Sequence, residues 1–479
     1  MRADPELRCQ ELVIGSGPGG AITACLLAER GRDVIVAEEG GEYPPGSCEP
    51  FSIGEMRQKY RSGGLTVALG SPKIAYVEGR VAGGGSEINS GLYHRLPDGI
   101  LEDWRRDYGV LGADPAGLDP HCAAVERDVN VCLMPTPAGR ASLRLAAGAA
   151  ALGWRAMEVP RWIRYDGTRD AAGVAQGVRQ SMSRTYLARA RAAGARIITG
   201  ARALRLERRG DGWVAECRIA GTLRQIRAGH AFACAGAVHT PFLLRNSGIS
   251  RNIGGSLAMH PTVKVLARFP DETGSPEPGV HQVKEFSPRM SFGCSIASLP
   301  HVMLGLVDYP RHRARIREQW RHMAAYYAMV TGPATGRIRP VPFSGDPLVR
   351  YQIRPADRGD LALGLRRLCR LLFEAGAVEL FPSIAGMEPL TSPDQVAGLP
   401  DFLPADRASL MTIHLFSSCP MGEDRRVAAC DSFGRVHGVP GLSVHDASLL
   451  CTAPGVNPQG AVMAFARRNT MRHIEAGRF

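Results

Sequence analysis

At 479 residues the chain is long enough for two or three domains and a large buried core, and its 44% hydrophobic and 22% charged content is that of a globular protein. A net charge of +12 raises nucleic acid as a partner, but lysine occurs only at Lys59, Lys73, Lys264 and Lys284, and the scattered arginines, with no RNA- or DNA-binding motif beside them, point to a GC-rich bacterial genome rather than a polyanion ligand. Twelve cysteines from Cys9 to Cys451 include no C-x-x-C pair, the N-terminus has no apolar signal core, and no apolar run reaches membrane-spanning length, so a reduced, cytoplasmic protein without a membrane span is expected.

Taken along the chain, Leu12-Val13-Ile14 predicts a buried strand, Ala21 to Arg30 a helix stopping at Gly31, and Val34 to Ala37 a second strand. Between the first strand and the helix stands Gly15-Ser16-Gly17-Pro18-Gly19-Gly20. In such a βαβ unit Gly15 permits the tight turn, Gly17 lets a pyrophosphate approach the backbone, and Gly20 lets helix and strand pack closely. The anion would rest on the helix N-terminus, where unpaired N–H groups and the dipole favour negative charge. Glu38 ends the second strand in the place of a ribose-binding acid, with Glu39 as the competing choice. A second cluster, Gly79 to Asn89 with Gly83-Gly84-Gly85 at its centre, offers bare backbone to a large planar ligand. Ser181 to Arg191 predicts a turn into a helix, and Ala195 to Gly200, Gly212 to Ile219 and Gly229 to Ala235 predict strands.

From Thr262 to Leu410 the pattern is mixed. Proline–glycine turns at 276–279 and 342–347 separate strand-like runs at Val263 to Phe269 and Leu348 to Ile353. Leu361, Leu365, Leu368 and Leu372 recur at helical spacing up to Gly376 and predict a core-facing helix. Arg311 to Tyr327 predicts one basic helix, and Glu285, Tyr326, Tyr327, Phe343 and Tyr351 are weak candidates for a pocket wall. Near the C-terminus, His414 and Asn457 lie in Thr412-Ile413-His414-Leu415 and Pro454-Gly455-Val456-Asn457-Pro458. A histidine that takes a proton beside an asparagine that fixes a substrate oxygen suits the oxidation of an alcohol.

These motifs carry a resemblance. Gly79–Asn89 looks like the flavin-contacting signature of the glucose–methanol–choline (GMC) oxidoreductases, and Gly236–Ile249 resembles their second signature, with Ser250 where the family has glycine. Ile253–Pro261 and Gly438–Ser448 are similar to the turn into their substrate domain and to the segment that closes over the cofactor. His414, preceding Ser417-Ser418-Cys419-Pro420-Met421-Gly422, is similar to the family's catalytic histidine. Asn457 occupies the second position, and its Gly-Val-Asn-Pro setting most resembles the cholesterol-oxidase branch.

The resemblance implies an α/β fold in which a Rossmann-type FAD-binding domain (1–261, with the flavin loop 79–91, and 411–479) is interleaved with an α+β substrate-binding domain (262–410). It implies FAD contacts at Gly15, Gly17, Pro18, Gly19, Gly20, Glu38, Glu39, Arg80, Gly84, Gly85, Ser86, Asn89, Ser90 and Gly91, then at Ala203, Ala235, Gly236, Asp446, Ala447, Asn457 and Pro458. Some members attach FAD covalently through a histidine just before the signature asparagine; Ile88 stands there, so non-covalent FAD is expected, with His94 as a weaker alternative anchor. His414 is then the proton acceptor and Asn457 an orienting group, while His260, His437 and His445 read as structural. No metal is expected. The substrate is expected to be a small-molecule alcohol, with a sugar or aminoglycoside hydroxyl in a bacterial natural-product pathway favoured; the electron acceptor and the oligomeric state are left open. An NAD(P)-dependent Rossmann oxidoreductase and a non-redox lyase on the same fold remain the alternatives.

Overall fold

A computed structural model describes residues 6–44, 46–274, 279–333, 335–342 and 344–477. The turn expected at 276–279 lies largely outside these residues, and Phe343 lies wholly outside them.

Two sheets organise the chain. The first has seven strands, in the order Ala201–Arg209, Gly212–Ile219, Thr222–Ala233, Leu7–Ile14, Val34–Ala37, Arg196–Ile198, with Leu442–Val444 also pairing Thr222–Ala233. Leu7–Ile14 runs parallel to Val34–Ala37 on one side and to Thr222–Ala233 on the other. The apolar stretch Leu12–Ile14 is only its buried half; the outer half alternates in exposure and pairs with Ile226 to Ala228. Thr222–Ala233 likewise begins seven residues before Gly229, where the sequence places its start. Its polar first half closes a hairpin with Gly212–Ile219, where one face meets water and alternation replaces a hydrophobic run.

The second sheet has nine strands, in the order Thr66–Ala68, Ile74–Tyr76, Leu410–Thr412, Thr262–Arg268, Met323–Val330, Met290–Ser295, His281–Val283, Ala156–Glu158, with Glu379–Pro382 also pairing Thr262–Arg268. Three of these strands come from before residue 262, so position 262 marks where the chain commits to this sheet and not which segments build it. Helix Pro355–Glu374 backs the sheet, with all four leucines of its stripe at most 1% exposed, and it ends before Gly376 at φ +87°.

The single basic helix expected over Arg311 to Tyr327 does not form. A short helix covers only Arg313–Glu318, and Met323–Val330 is a strand paired on both sides. Met-Ala-Ala-Tyr-Tyr-Ala-Met-Val is buried on both faces, and a segment sandwiched between two strands follows pairing over alanine's helix propensity. Among the described residues no helix is long and apolar enough to cross a membrane.

Candidate active site

A cavity of about 1490 Å³ is lined by the glycine turn and Glu38 at one end and by Thr262, Lys264, Leu266 and Tyr327 of the nine-stranded sheet at the other. That volume exceeds what a single drug-sized ligand occupies, about 300–1,000 Å³, and suits a dinucleotide with a substrate beside it.

The glycines of the first turn divide their work by position. Gly15 has φ +98°, and a side chain on it would meet Cys234 O at 2.3 Å. Gly19 and Gly20 lie against His445 O and Gly15 O, at 1.6 and 2.0 Å from where a Cβ would stand. Gly17 differs: nothing lies within 4 Å of its missing Cβ, so its bare backbone faces the cavity. The second cluster abuts the first, since a Cβ on Gly84 would fall 2.7 Å from Gly17 Cα, while Gly85 is open like Gly17. Ser16 and Glu38 stitch the turns together. Ser16 N–H and Oγ–H donate to Glu38 Oε2 at 2.9 and 2.6 Å, Gly40 N–H donates to Oε1 at 2.7 Å, and Gly83 N–H donates to Ser16 Oγ at 3.0 Å. Burial pushes the Glu38 carboxyl up. Glu39 is held by Arg61, Arg80 and Arg202; against the cost of burial, Arg61 and then Arg202 draw its carboxyl down to about 2. Of the two acids, Glu38 has its carboxylate bound to the glycine turn and Glu39 is neutralised by arginine.

Of the residues expected to touch the cofactor, Gly15, Gly17, Pro18, Gly19, Glu38, Glu39, Gly84, Gly85, Asn89, Ser90, Gly91, Ala203, Ala235, Gly236, Asp446, Ala447, Asn457 and Pro458 all line this cavity. Three expected residues do not line it. Gly20 is a packing contact, Arg80 turns to Glu39 at 3.2 Å, and Ser86 is fully buried, its Oγ donating to Gly83 O at 2.6 Å. Asp446 braces the site from behind: Gly236 N–H and Thr240 Oγ donate to its Oδ2 at 2.8 and 2.5 Å, and Ser448 N–H and Oγ donate to Oδ1 at 2.8 and 2.5 Å.

His414 follows strand Leu410–Thr412, and its backbone N–H donates to Thr412 Oγ at 3.1 Å. Asn457 and Pro458 lead into helix Gln459–Ala476, whose positive end thereby meets the cavity. His414 Nε2 and Asn457 Nδ2 are 3.3 Å apart. Burial first, and then the Lys284 cation, hold His414 down to about 3, so its ring is neutral at neutral pH.

His260 is more than structural packing. It is fully buried, and its Nδ1 lies 3.0 Å from His414 Nδ1. Gly455 N–H donates to His260 Nε2 at 3.0 Å. A nitrogen that accepts carries no proton, so neutral His260 keeps its proton on Nδ1 and gives it to His414. The proton of neutral His414 is then on Nε2, facing Asn457. Asn457 meets Gln282 at 3.0 Å, and Gln282 meets Tyr327 Oη at 3.1 Å and His94 Nε2 at 3.0 Å. A half-turn of the two amides satisfies every bond in this direction. One backbone amide thus sets the polarity of the whole chain.

Other candidates fall elsewhere. Tyr326 is core, donating to Ala141 O at 2.9 Å, and Tyr351 donates to Pro333 O at 2.8 Å; Tyr327 alone of the described tyrosine candidates lines the cavity. Glu285 is exposed and accepts from Arg155 N–H at 3.1 Å. His437 and His445 hold Gly422 O and Thr23 Oγ, at 3.0 Å each. His94 is hydrogen-bonded to Gln282 and does not line the cavity, whereas Ile88 does. No local motif in the sequence marks Gln282, Lys264, Lys284, His301 or Asp308; the scarcity of lysine is the one signal it offers. Away from the cavity, Glu11, His230 and His473 bring ligand-type atoms within 4.8 Å of one another.

Residues 56–262 and 334–466 match the sequence profiles of GMC oxidoreductases. The chain is 38% identical to an uncharacterized GMC-type oxidoreductase of Sinorhizobium fredii, over 98% of this chain and 95% of that protein. It is 27% identical to a long-chain-alcohol oxidase of Arabidopsis thaliana, over 96% of this chain and 67% of that protein. The fold superposes on the crystal structure of pyridoxine 4-oxidase from Mesorbium loti with a TM-score of 0.73 at 20% identity, covering 98% of this chain and 99% of that one. The chain belongs to the GMC oxidoreductases, a family of flavoproteins, and is an oxidoreductase.

Proposed function

We propose that this protein oxidises an alcohol to a carbonyl compound, with His414 taking the hydroxyl proton and non-covalently held FAD as the oxidant. The observation that carries the reading is the His414–Asn457 pair, 3.3 Å apart on the wall of the cavity that also holds the two glycine turns. The residues fit FAD: Gly17 and Gly85 expose backbone where a side chain would fill the cavity, and Glu38 stands beside the turn. Gly15 to Gly19 would hold the pyrophosphate, Glu38 the ribose, and Gly84 to Gly91 with Ala447, Asn457 and Pro458 the flavin. Bound FAD supplies the acceptor for the hydride leaving the carbinol carbon.

The protein's share is binding, orientation and one proton. In the resting polarity His414 Nε2–H grips the substrate oxygen as a donor. To become the acceptor, His414 must hold its own proton on Nδ1, which requires His260 to accept there and to release Gly455 N–H. Giving up that bond to a buried amide costs about 1–3 kcal/mol. A positioned base returns more, about 10²–10⁴-fold in rate, or about 3–5 kcal/mol. The end of the cavity formed by the nine-stranded sheet carries the apolar side chains Leu266, Ile296, Leu299, Met303 and Phe381 beside Lys264, His301 and Asp308. It favours an alcohol on an aliphatic chain over the sugar or aminoglycoside hydroxyl that the turn-rich sequence suggested, and the resemblance to a long-chain-alcohol oxidase agrees with that.

Anaerobic stopped-flow reduction of the yellow holoprotein by a panel of aliphatic alcohols, sugars and aminoglycosides tests the reading. His414→Ala should keep its flavin and lose at least ~10²-fold in the reduction rate, and Asn457→Ala should lose less. An undiminished rate in His414→Ala removes histidine from the base role, and a flavin that no alcohol bleaches leaves the lyase alternative standing.

A further inference from the structure

Lysine is nearly absent from this chain, four residues among 58 basic ones. Lysine is compact, carries its charge as a point, and loses its proton more readily when buried. Lys59 pairs with Glu55 at 3.0 Å, and Lys73 is exposed. The other two lie in the substrate half, Lys284 buried and Lys264 half-buried. Lys284 acts on His414 through its charge, and it does not line the cavity.

Lys264 is different. It sits in the middle of strand Thr262–Arg268, where Val263, Val265 and Ala267 are fully buried in the core and Thr262, Lys264 and Leu266 line the cavity. Its cross-strand partner Tyr327 lines the same wall. The alternation of a strand therefore aims the ammonium into the cavity. Among the described residues no carboxylate pairs with it and no side chain accepts from it. Asp308, the acid on that wall, instead accepts from Ser409 Oγ at 3.0 Å. His301, its basic neighbour, is bonded to Ser298 Oγ at 2.7 Å and is kept neutral by burial and by the Lys264 charge. Burial alone pulls Lys264 down to about 8. A cation set among Leu266, Ile296, Leu299 and Phe381 without a counter-ion is unfavourable in the free protein and favourable once an anion enters.

The ammonium is also well placed relative to the chemistry. Thr262 pairs with Met411, three residues before His414, and Lys264 stands two residues, about 7 Å, further along the strand. An anion held there lies along the apolar wall from the reacting carbon, not on it.

We propose that Lys264 anchors a carboxylate on the substrate, so that the alcohol oxidised here is a hydroxy carboxylic acid whose two ends are joined by an aliphatic chain. This rests on the reading of the cavity as an alcohol-oxidising site. Anaerobic flavin reduction by 8-hydroxyoctanoate, 12-hydroxydodecanoate and 16-hydroxyhexadecanoate is compared with reduction by the matching 1-alkanols. The holoprotein should prefer the acid of the best length by at least tenfold in kcat/KM. Lys264→Met, which keeps length and apolarity, should abolish the preference mainly through KM, and Lys264→Arg should retain part of it. Independently of turnover, dodecanoate should perturb the flavin absorbance of the natural protein with a Kd at least tenfold tighter than in Lys264→Met. Equal use of acids and alkanols, or equal dodecanoate Kd values in the two proteins, overturns the anchor. If no alcohol reduces the flavin, the oxidation reading fails on its own, and the dodecanoate comparison still decides whether Lys264 binds a carboxylate.

Discussion

His260→Asn tests the proton inventory of the site. In the natural protein Gly455 N–H bonds His260 Nε2 at 3.0 Å, and His260 Nδ1 bonds His414 Nδ1 at 3.0 Å. Asparagine places a heteroatom where histidine has Nδ1, but it can turn its carbonyl there and accept from His414, and it has no atom in the place of Nε2. The form of His414 with Nδ1 protonated then no longer requires breaking a bond. The difference of about 1–3 kcal/mol corresponds to a shift of about 5- to 140-fold in the tautomer ratio toward the base form. Ring ¹⁵N spectra of histidine-labelled protein, with His414→Ala for assignment, should show His414 protonated on Nε2 in the natural protein and on Nδ1 in the variant. Stopped-flow flavin reduction should hold or rise in step. The orphaned Gly455 amide should lower stability by about 1–3 kcal/mol. A natural-protein spectrum with Nδ1 already protonated refutes the inventory, and so does a variant that reduces flavin as slowly as His414→Ala.

Two further outcomes follow from geometry and burial. Gly19→Ala should fail to fold with flavin, because its Cβ would stand 1.6 Å from His445 O, whereas Gly17→Ala, with nothing within 4 Å, should fold and lose affinity for FAD; flavin retention on gel filtration reads both, and a Gly17→Ala protein that keeps FAD as the natural one does would remove Gly17 from the cofactor site. Burial holds His94, His230, His414 and His445 down to about 3 from the ordinary 6.5, so between those values the unfolded chain binds protons that the folded one refuses. Stability contributed by these rings is therefore complete above pH 6.5 and falls as the pH drops toward 3, by up to about 1.4 kcal/mol per pH unit for each ring. Melting temperatures measured from pH 7 to 4 should fall steadily, and a flat or rising profile would contradict the burial of these histidines.

Local chemistry was legible wherever it was spelled by neighbours in the chain. The strand–turn–helix of Leu7–Ile14 and Pro18–Ala28, the tight turn at Gly15 and the close packing at Gly20, and the leucine stripe of Pro355–Glu374 depend on spacings of a few residues, and the structure has them where the sequence places them. Met323–Val330 shows the opposite case. Its alanines and the arginines before it read as helix, and only the strands Thr262–Arg268 and Met290–Ser295, distant in sequence, make it a strand. The outer halves of Leu7–Ile14 and Thr222–Ala233 were missed for the same reason: half-exposed pairing leaves no hydrophobic run.

The sequence by itself determined the glycine turn between Leu7–Ile14 and Pro18–Ala28 and the likeness to the GMC oxidoreductases, because each rests on residue types at short, fixed spacing, and it paired His414 with Asn457. The tertiary structure alone decided what surrounds them. Gly455 N–H, His260 and His414 come from three separate segments, and so do Asn457, Gln282 and His94, so the direction in which their protons point exists only once the chain has folded. Lys264 likewise is one residue in a strand until the sheet turns alternate side chains to opposite faces, and only then does its unpaired charge face the cavity.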